Sequence, residues 1–261
     1  MSMLTRWMDR RFYPNHDDRW DDTALRAHLD LLIEPDDVVL DLGAGAGIIE
    51  QLRFRGAVAE VVGVDPDERV LQNPHLDRAA VGVGEDLPLE DGSVDLAFAN
   101  NVLEHLADPS CVLAEIERVL KPGGRFVAKT PNRTHYVPLL SALTPHRFHQ
   151  WYNGLRGLDA EDIYPTHYRA NAASAVRRIA SGAGLDVERI ELIEGRPEYL
   201  RLAAPLYACG LVYERVVNSS PIFSGFRSVI VCVLRKPDLI SMAAPKAAAA
   251  SRESRSAHRA A

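Results

Sequence analysis

The sequence predicts a doubly wound α/β fold on three observations. Strand-like apolar runs alternate with stretches of helical periodicity, the first run, "VLDLGAGAG" (39–47), passes directly into glycines, and the second ends in an acid, Asp65. Strands separated by helices require right-handed crossovers, and therefore a parallel sheet covered on both faces.

Each element follows from its local pattern. "TALRAHLDLLI" (23–33) carries apolar residues at helical spacing behind Thr23 as N-cap, and "PDD" turns it into a first strand, "VVLDL" (38–42). "VAEVVGVD" (58–65) reads as a second strand, "RAAVGV" (78–83) as a short third, and "SVDLAFANNV" (93–102) as a buried fourth. "DPSCVLAEIERVL" (108–120) is an amphipathic helix ended by "KPGG", with "RFVAKT" (125–130) as the fifth strand. Residues 131–170 break the rhythm with Pro, aromatics and four of the nine histidines, an excursion of the kind that carries specificity. Helix (171–185), strand (186–194), an apolar, partly helical stretch (198–226) and a last strand, "RSVIVCVLRKP" (227–237), follow. The low-complexity tail 242–261 is expected to be disordered, leaving 1–241 as one domain with residues 1–22 as an arm or lid.

Composition narrows the function. A 47% hydrophobic chain of 261 residues can bury a substantial core. Cys111, Cys209 and Cys232 are scattered with no CxxC pair, which implies a reduced compartment and excludes a cysteine metal cluster. The first residues show no apolar run of a secretory signal, and "LAAPLYACGLVY" (202–213) is too short to span a bilayer, so a cytoplasmic chain is expected. Peripheral membrane contact through 198–226 stays open as the alternative to a core or dimer helix. Formal charge is −6 although the tail is net basic, and an acidic body is a poor partner for nucleic acid.

Glycines after a first strand let a ligand approach the backbone and open onto a helix N-terminus, where free N–H groups favour anions. The Walker pattern is absent, since no Lys followed by Ser or Thr ends the loop. A dinucleotide fingerprint would need Gly at position 48, which is Ile48, so the loop reads G-x-G-x-G. Asp65, about 20 residues beyond the glycines, can accept from ribose hydroxyls of any adenosine ligand or simply cap the next helix. Asp41 can likewise serve a ligand or local backbone amides.

The stretch 83–132, with its acid in "GEDLPL", its "EH" pair after the fourth strand and "RVLKPGG" before the fifth, resembles the class I S-adenosylmethionine (SAM) dependent methyltransferases, in particular the branch of ubiquinone and menaquinone biosynthesis enzymes. The resemblance is dense over 38–132 and weak elsewhere. It implies a Rossmann-like seven-stranded sheet of order 3-2-1-4-5-7-6 with the seventh strand antiparallel, and SAM as cofactor. It further implies that Asp41 and the backbone of Gly43, Ala44, Gly45 and Gly47 face the methionine moiety and ribose. Asp65 would take the ribose hydroxyls, Pro66 pack near the adenine, and Asp86 accept from the adenine amino group with the Leu87 backbone nearby. Asn100, Val102 and His105 would follow the fourth strand into the site.

On this resemblance the activity is methyl transfer to a small-molecule, glycan or lipid-linked acceptor, with O-methylation preferred over N- or C-methylation of, for example, a quinone precursor. A nicotinamide oxidoreductase and a non-catalytic SAM-binding subunit are the alternatives. His105 is either the general base for an acceptor hydroxyl or a structural anchor of its loop. Tyr13, His135, Tyr136, His146 and His149 are candidate acceptor contacts. His146 and His149 at i, i+3 could ligate a metal, but no third ligand at fixed spacing accompanies them, and no metal is expected.

Overall fold

Period-two alternation along the strands decides which side chains reach which face of the sheet. In β1 (Val38–Leu42), Val39 joins one apolar cluster while Leu40 and Leu42 join the other. In β4 (Val94–Asn100), Leu96 and Phe98 share the face of Val39, and in β5 (Leu120–Pro131) Val127 does. Continuing the alternation to the strand ends carries Asp41, Asn100 and Lys129 to that same face. The computed structural model describes residues 2–16, 19–143 and 165–238.

The sheet has seven strands in the order β3-β2-β1-β4-β5-β7-β6, with β2 (Glu60–Asp65), β3 (Arg78–Val81), β6 (Asp186–Ile193) and β7 (Val229–Arg235) completing it. β7 runs antiparallel between β5 and β6, as expected. One face is covered by α3 (Pro109–Val119) and α5 (Ala173–Gly182), which bury Val112, Leu113, Ile116, Val176 and Ile179. The other receives α2 (Trp20–Asp30) through Leu25 and Leu29, both fully buried against Phe54, Phe98 and Val61. Each such leucine contributes about 1.5–3 kcal/mol.

The remaining helices gather at one edge. α1 (Met3–Phe12) packs on α6 (Ala204–Asn218) through Met8, Tyr13 and Tyr207, and α4 (Tyr136–Leu143) follows β5.

Three expectations are corrected. Thr23 does not cap α2; the helix starts at Trp20 without a side-chain cap, because Asp21 and Asp22 in its first turn are drawn to Lys129. "KPGG" belongs to β5, which starts to pair at Leu120↔Val94 and resumes at Arg125↔Leu96, so the extra residues are absorbed in a bulge containing Gly123 at φ +83°. The glycine loop does not open onto an α-helix: only a 3₁₀ turn, Glu50–Leu52, lies between β1 and β2, and another, Glu68–Gln72, between β2 and β3.

Candidate active site

Two clefts flank the C-terminal end of β4, where ligands of open α/β sheets gather. The first, about 290 Å³, is walled by Asp41, residues 43–49, Asp65, Asn73 and Asn100. The second, about 330 Å³, is lined among others by Asn101, Glu104, His105, His135, Tyr136, Glu194 and Tyr199. Asn101 has φ +55° and donates its amide to the Lys129 carbonyl at 2.9 Å, a left-handed turn that gives Asn100 to one cleft and its neighbour to the other.

The glycine loop is shaped by close approach. A Cβ on Gly43 (φ +82°) would lie 2.4 Å from Val102 Cγ2, and one on Gly47 (φ +71°) 2.2 Å from Asn73 Oδ1. Asn73, which no sequence motif marks, donates Nδ2 to the carbonyls of Ala44 and Gly45 at 3.2 and 3.3 Å. Asp65 ties the loop from its other side: Oδ2 accepts from the Gly45 amide at 2.9 Å and Oδ1 from the Asp67 amide at 2.8 Å.

This first cleft favours a cation. Burial and the negative charge of Asp65 push the Asp41 carboxyl up to about 8. The buried Asn100 Oδ1 has no hydrogen-bond partner, while its Nδ2 donates to Asp22 Oδ1 at 2.9 Å. A carboxyl held neutral for want of a positive charge, beside an unsatisfied acceptor, suits the ammonium and sulfonium of SAM.

Of the residues expected at the donor, Asp41, Gly43, Ala44, Gly45, Gly47, Asp65 and Asn100 come together here. Pro66 is exposed just beyond β2 and is not part of the wall. Asp86 and Leu87 are not part of it either: Asp86 closes a bridge with Val83, the Leu87 side chain is buried in the core, and its amide donates to Glu115 Oε2 at 3.0 Å.

Between the clefts lies an ion-pair knot that no sequence motif marks. Lys129 is fully buried, its Nζ 2.5 Å from Asp21 Oδ2 and 2.6 Å from Asp22 Oδ1. Lys129 holds the Asp22 carboxyl below its usual range despite burial, which pulls the other way. The one trace of it in the sequence is a lysine at the inward position after Val127.

In the second cleft His105 Nδ1 donates to the Pro165 carbonyl at 2.9 Å. That bond puts the proton of the neutral ring on Nδ1 and the lone pair on Nε2. Behind it, the buried Glu104 accepts from Thr130 Oγ1 at 2.9 Å, which receives from Asn171 at 2.6 Å, and its carbonyl accepts from the amides of His167 and Tyr168. Burial raises the Glu104 carboxyl above its ordinary range.

His135 and Tyr136 also reach this cleft. His135 Nε2 and Glu194 Oε2 are both buried, 3.4 Å apart and out of alignment for a hydrogen bond. Burial holds His135 down at about 4 and Glu194 up at about 8, so near neutrality both are uncharged and the contact is not an ion pair. The Val137 amide donates to His135 Nδ1 at 3.4 Å, which leaves the ring proton on Nε2.

Tyr13 lines neither cleft. It is 5% exposed, stacks on Tyr207 at 6.2 Å and donates its hydroxyl to Glu214 Oε2 at 3.0 Å, so it anchors α1 instead of covering an acceptor. His146 and His149, with Phe148, Trp151, Tyr152 and the tail 242–261, lie outside the described residues. Among the described residues no group of three or more His, Cys, Asp or Glu could hold a metal ion, and no helix is long and apolar enough to cross a membrane.

Residues 40–128 match the model of a family described as a methyltransferase domain. A probable SAM-dependent methyltransferase of Mycolicibacterium smegmatis is 32% identical over 155 residues, 58% of this chain and 52% of its own. A Streptomyces fradiae protein of 37.1 kDa encoded in transposon TN4556 is 37% identical over 107 residues, 38% of this chain and 31% of its own. The chain thus spans about a third to a half of these relatives. Among solved structures, a chain of the complex between the Haloferax volcanii Trm112 methyltransferase activator and a methyltransferase has a TM-score of 0.53 at 22% identity, covering 91% of this chain and 99% of that one. The [4+2]-cyclase SpnF has a TM-score of 0.54 at 18% identity, covering 86% and 85%.

Proposed function

We infer that this chain, which carries a class I SAM-dependent methyltransferase domain, transfers a methyl group to an oxygen of an acceptor bound beside His105. The observation that carries the reading is the pair of clefts on either side of β4, one fit for a cation and one holding a tautomer-fixed histidine. SAM, when bound, supplies a methyl group on a positively charged sulfur that is open to in-line attack.

The protein's own residues position and deprotonate. Asp41 and Asn100 Oδ1 offer acceptors to the cationic end of the donor, and Asp65 offers the lone pairs its two amide bonds leave over. A hydroxyl in the second cleft gives its proton to His105 Nε2 as its oxygen attacks, and the Pro165 carbonyl supports the positive ring that results. Such proton removal contributes typically ~10²- to 10⁴-fold, while orienting two bound reactants contributes up to about 7–11 kcal/mol. His135 is uncharged near neutrality and its Nε2 is buried against Glu194, so it shapes the wall of the acceptor cleft and does not serve as base.

The reading is tested by calorimetric titration with SAM and NAD side by side, followed by incubation with methyl-labelled SAM and small phenols, alcohols and amines. SAM binding without NAD binding, and label recovered as a methyl ether, are expected. Absent SAM binding, or label found only on nitrogen or carbon, would overturn the donor or the acceptor assignment respectively.

A further inference from the structure

The helix α6 is apolar on both faces. It buries Tyr207, Gly210, Glu214 and Val217, yet exposes Leu206, Cys209, Val212 and Val216. A surface helix that needs no further partner keeps its outer face polar. Around this face stand further exposed apolar groups: Met3, Leu4 and Trp7 on α1, and Ile222 (84% exposed), Phe223 and Phe226 on the 3₁₀ turn after α6. α1 packs on α6 through Tyr13 and Tyr207, and the turn 221–226 packs on α6, with Tyr213 donating to the Phe226 carbonyl, so the three elements are neighbours.

Charge on this surface has one sign. The carboxylates of residues 3–13 and 197–226 are Asp9, Glu198 and Glu214, and each is bonded inward. Asp9 accepts from Arg201 and Tyr207, Glu198 from Arg196 and Arg201, and Glu214 from Tyr13 and Asn218. The exposed charges are Arg6, Arg10, Arg11 and Arg215, the last of them paired at 3.4 Å with the buried Glu214, on a chain whose formal charge is −6.

We propose that α1, α6 and the turn 221–226 form a docking surface for an anionic lipid bilayer. Trp, Phe and Ile enter the headgroup boundary while the arginines meet the phosphates, which is how apolar and cationic groups divide at such an interface. A second copy of the chain is a poor occupant. A two-fold interface sets a patch against itself, and here it would set arginine against arginine.

The surface begins at the rim of the second cleft. Pro197, Glu198 and Tyr199 line that cleft and Leu202 and Leu206 are exposed next along the chain; Tyr136, Val137 and Pro138 line it and Leu139 is exposed. Resting on the methyl-transfer reading, this placement makes the acceptor an amphiphile taken from the bilayer.

Co-sedimentation of the full chain with phosphatidylglycerol vesicles and with pure phosphatidylcholine vesicles, without SAM, tests the docking apart from the chemistry. Binding to the anionic vesicles that weakens with salt is expected. Replacing Arg6, Arg10 and Arg11 together by Gln should weaken it roughly a hundredfold at one factor of about five per arginine, and Trp7→Ser with Ile222→Ser should weaken it further, all with SAM affinity unchanged. Equal or absent binding to the two vesicles would overturn the proposal, as would a dimer in solution that Val212→Glu dissociates. Should docking hold, water-soluble phenols methylated as fast as amphiphilic ones would overturn the acceptor class alone.

Discussion

Asp65 Oδ2 and the Gly45 amide are 2.9 Å apart, so the acid expected to grip a ligand's ribose already holds the glycine loop to the end of β2. The two roles share one carboxylate, which has lone pairs enough for both. Asp65→Ala should therefore lower the melting temperature of the ligand-free protein, at a cost of about 2–3 kcal/mol for a hydrogen-bonded charge, and also abolish the rise that SAM gives. A variant that loses the SAM shift with an unchanged ligand-free melt would show that the loop does not depend on this bond.

Stability should fall as pH rises from 6.5 to 8. Asp41 and Glu194, both raised to about 8, hold protons in the folded state that the unfolded chain has released, so their stabilising share is complete below about 4 and lost through 8. His135, lowered to about 4, works the other way but only up to its ordinary 6.5. Each carboxyl contributes a slope approaching about 1.4 kcal/mol per pH unit within its window. Asp41→Asn should remove one such slope, measurable by urea unfolding between pH 6.5 and 8.5.

The same carboxyl predicts proton release on donor binding. A cation placed beside Asp41 at pH 7 should expel its proton, so the apparent enthalpy of SAM titration should vary with the ionisation enthalpy of the buffer. In Asp41→Asn that variation should shrink.

Lys129→Met should cost about 3–5 kcal/mol, because Asp22 would remain buried without its cation. Adding Asp22→Asn to it should recover much of the loss. Chemical denaturation of the single and double variants reads this directly.

For His105, replacement by Gln should lower kcat by about 10²- to 10⁴-fold and remove the acidic limb of the pH–rate profile. His135→Gln should act on KM for the acceptor and leave that limb in place.

What was legible in the sequence was local or periodic. Alternation fixed the strands, and the spacing from Gly43 to Asp65 brought those two ends together because parallel neighbours share a register, Asp41 opposite Gly63. What escaped depended on distant partners. Asp21 and Asp22 extend α2 beyond Thr23 only because Lys129, more than a hundred residues away, is waiting. Tyr13 is a candidate acceptor contact from the sequence alone, whereas Glu214 draws it into the α1–α6 seam. Leu87 lost its amide to Glu115 on α3, and "KPGG" looked like a helix stop because the pairing of Leu120 with Val94 leaves no local trace.

The connection from β1 to β2 has only the turn Glu50–Leu52 where a full helix would have stitched amide to carbonyl. Residues 44–58 are thus held by side chains and not by a helical ladder: Asn73 and Asp65 on the glycine loop, Arg26 on the Gln51 and Arg53 carbonyls, Arg55 on Asp77 and the Pro74 carbonyl, and the apolar contacts of Leu52, Phe54 and Val58. Such a segment opens at a free energy well below that of global unfolding. Its amides should exchange with deuterium far sooner than those of β4, and donor binding should slow them. The wall of the donor cleft then acts as a latch that the donor itself fastens, and deuterium uptake reports on occupancy without any need to know the acceptor.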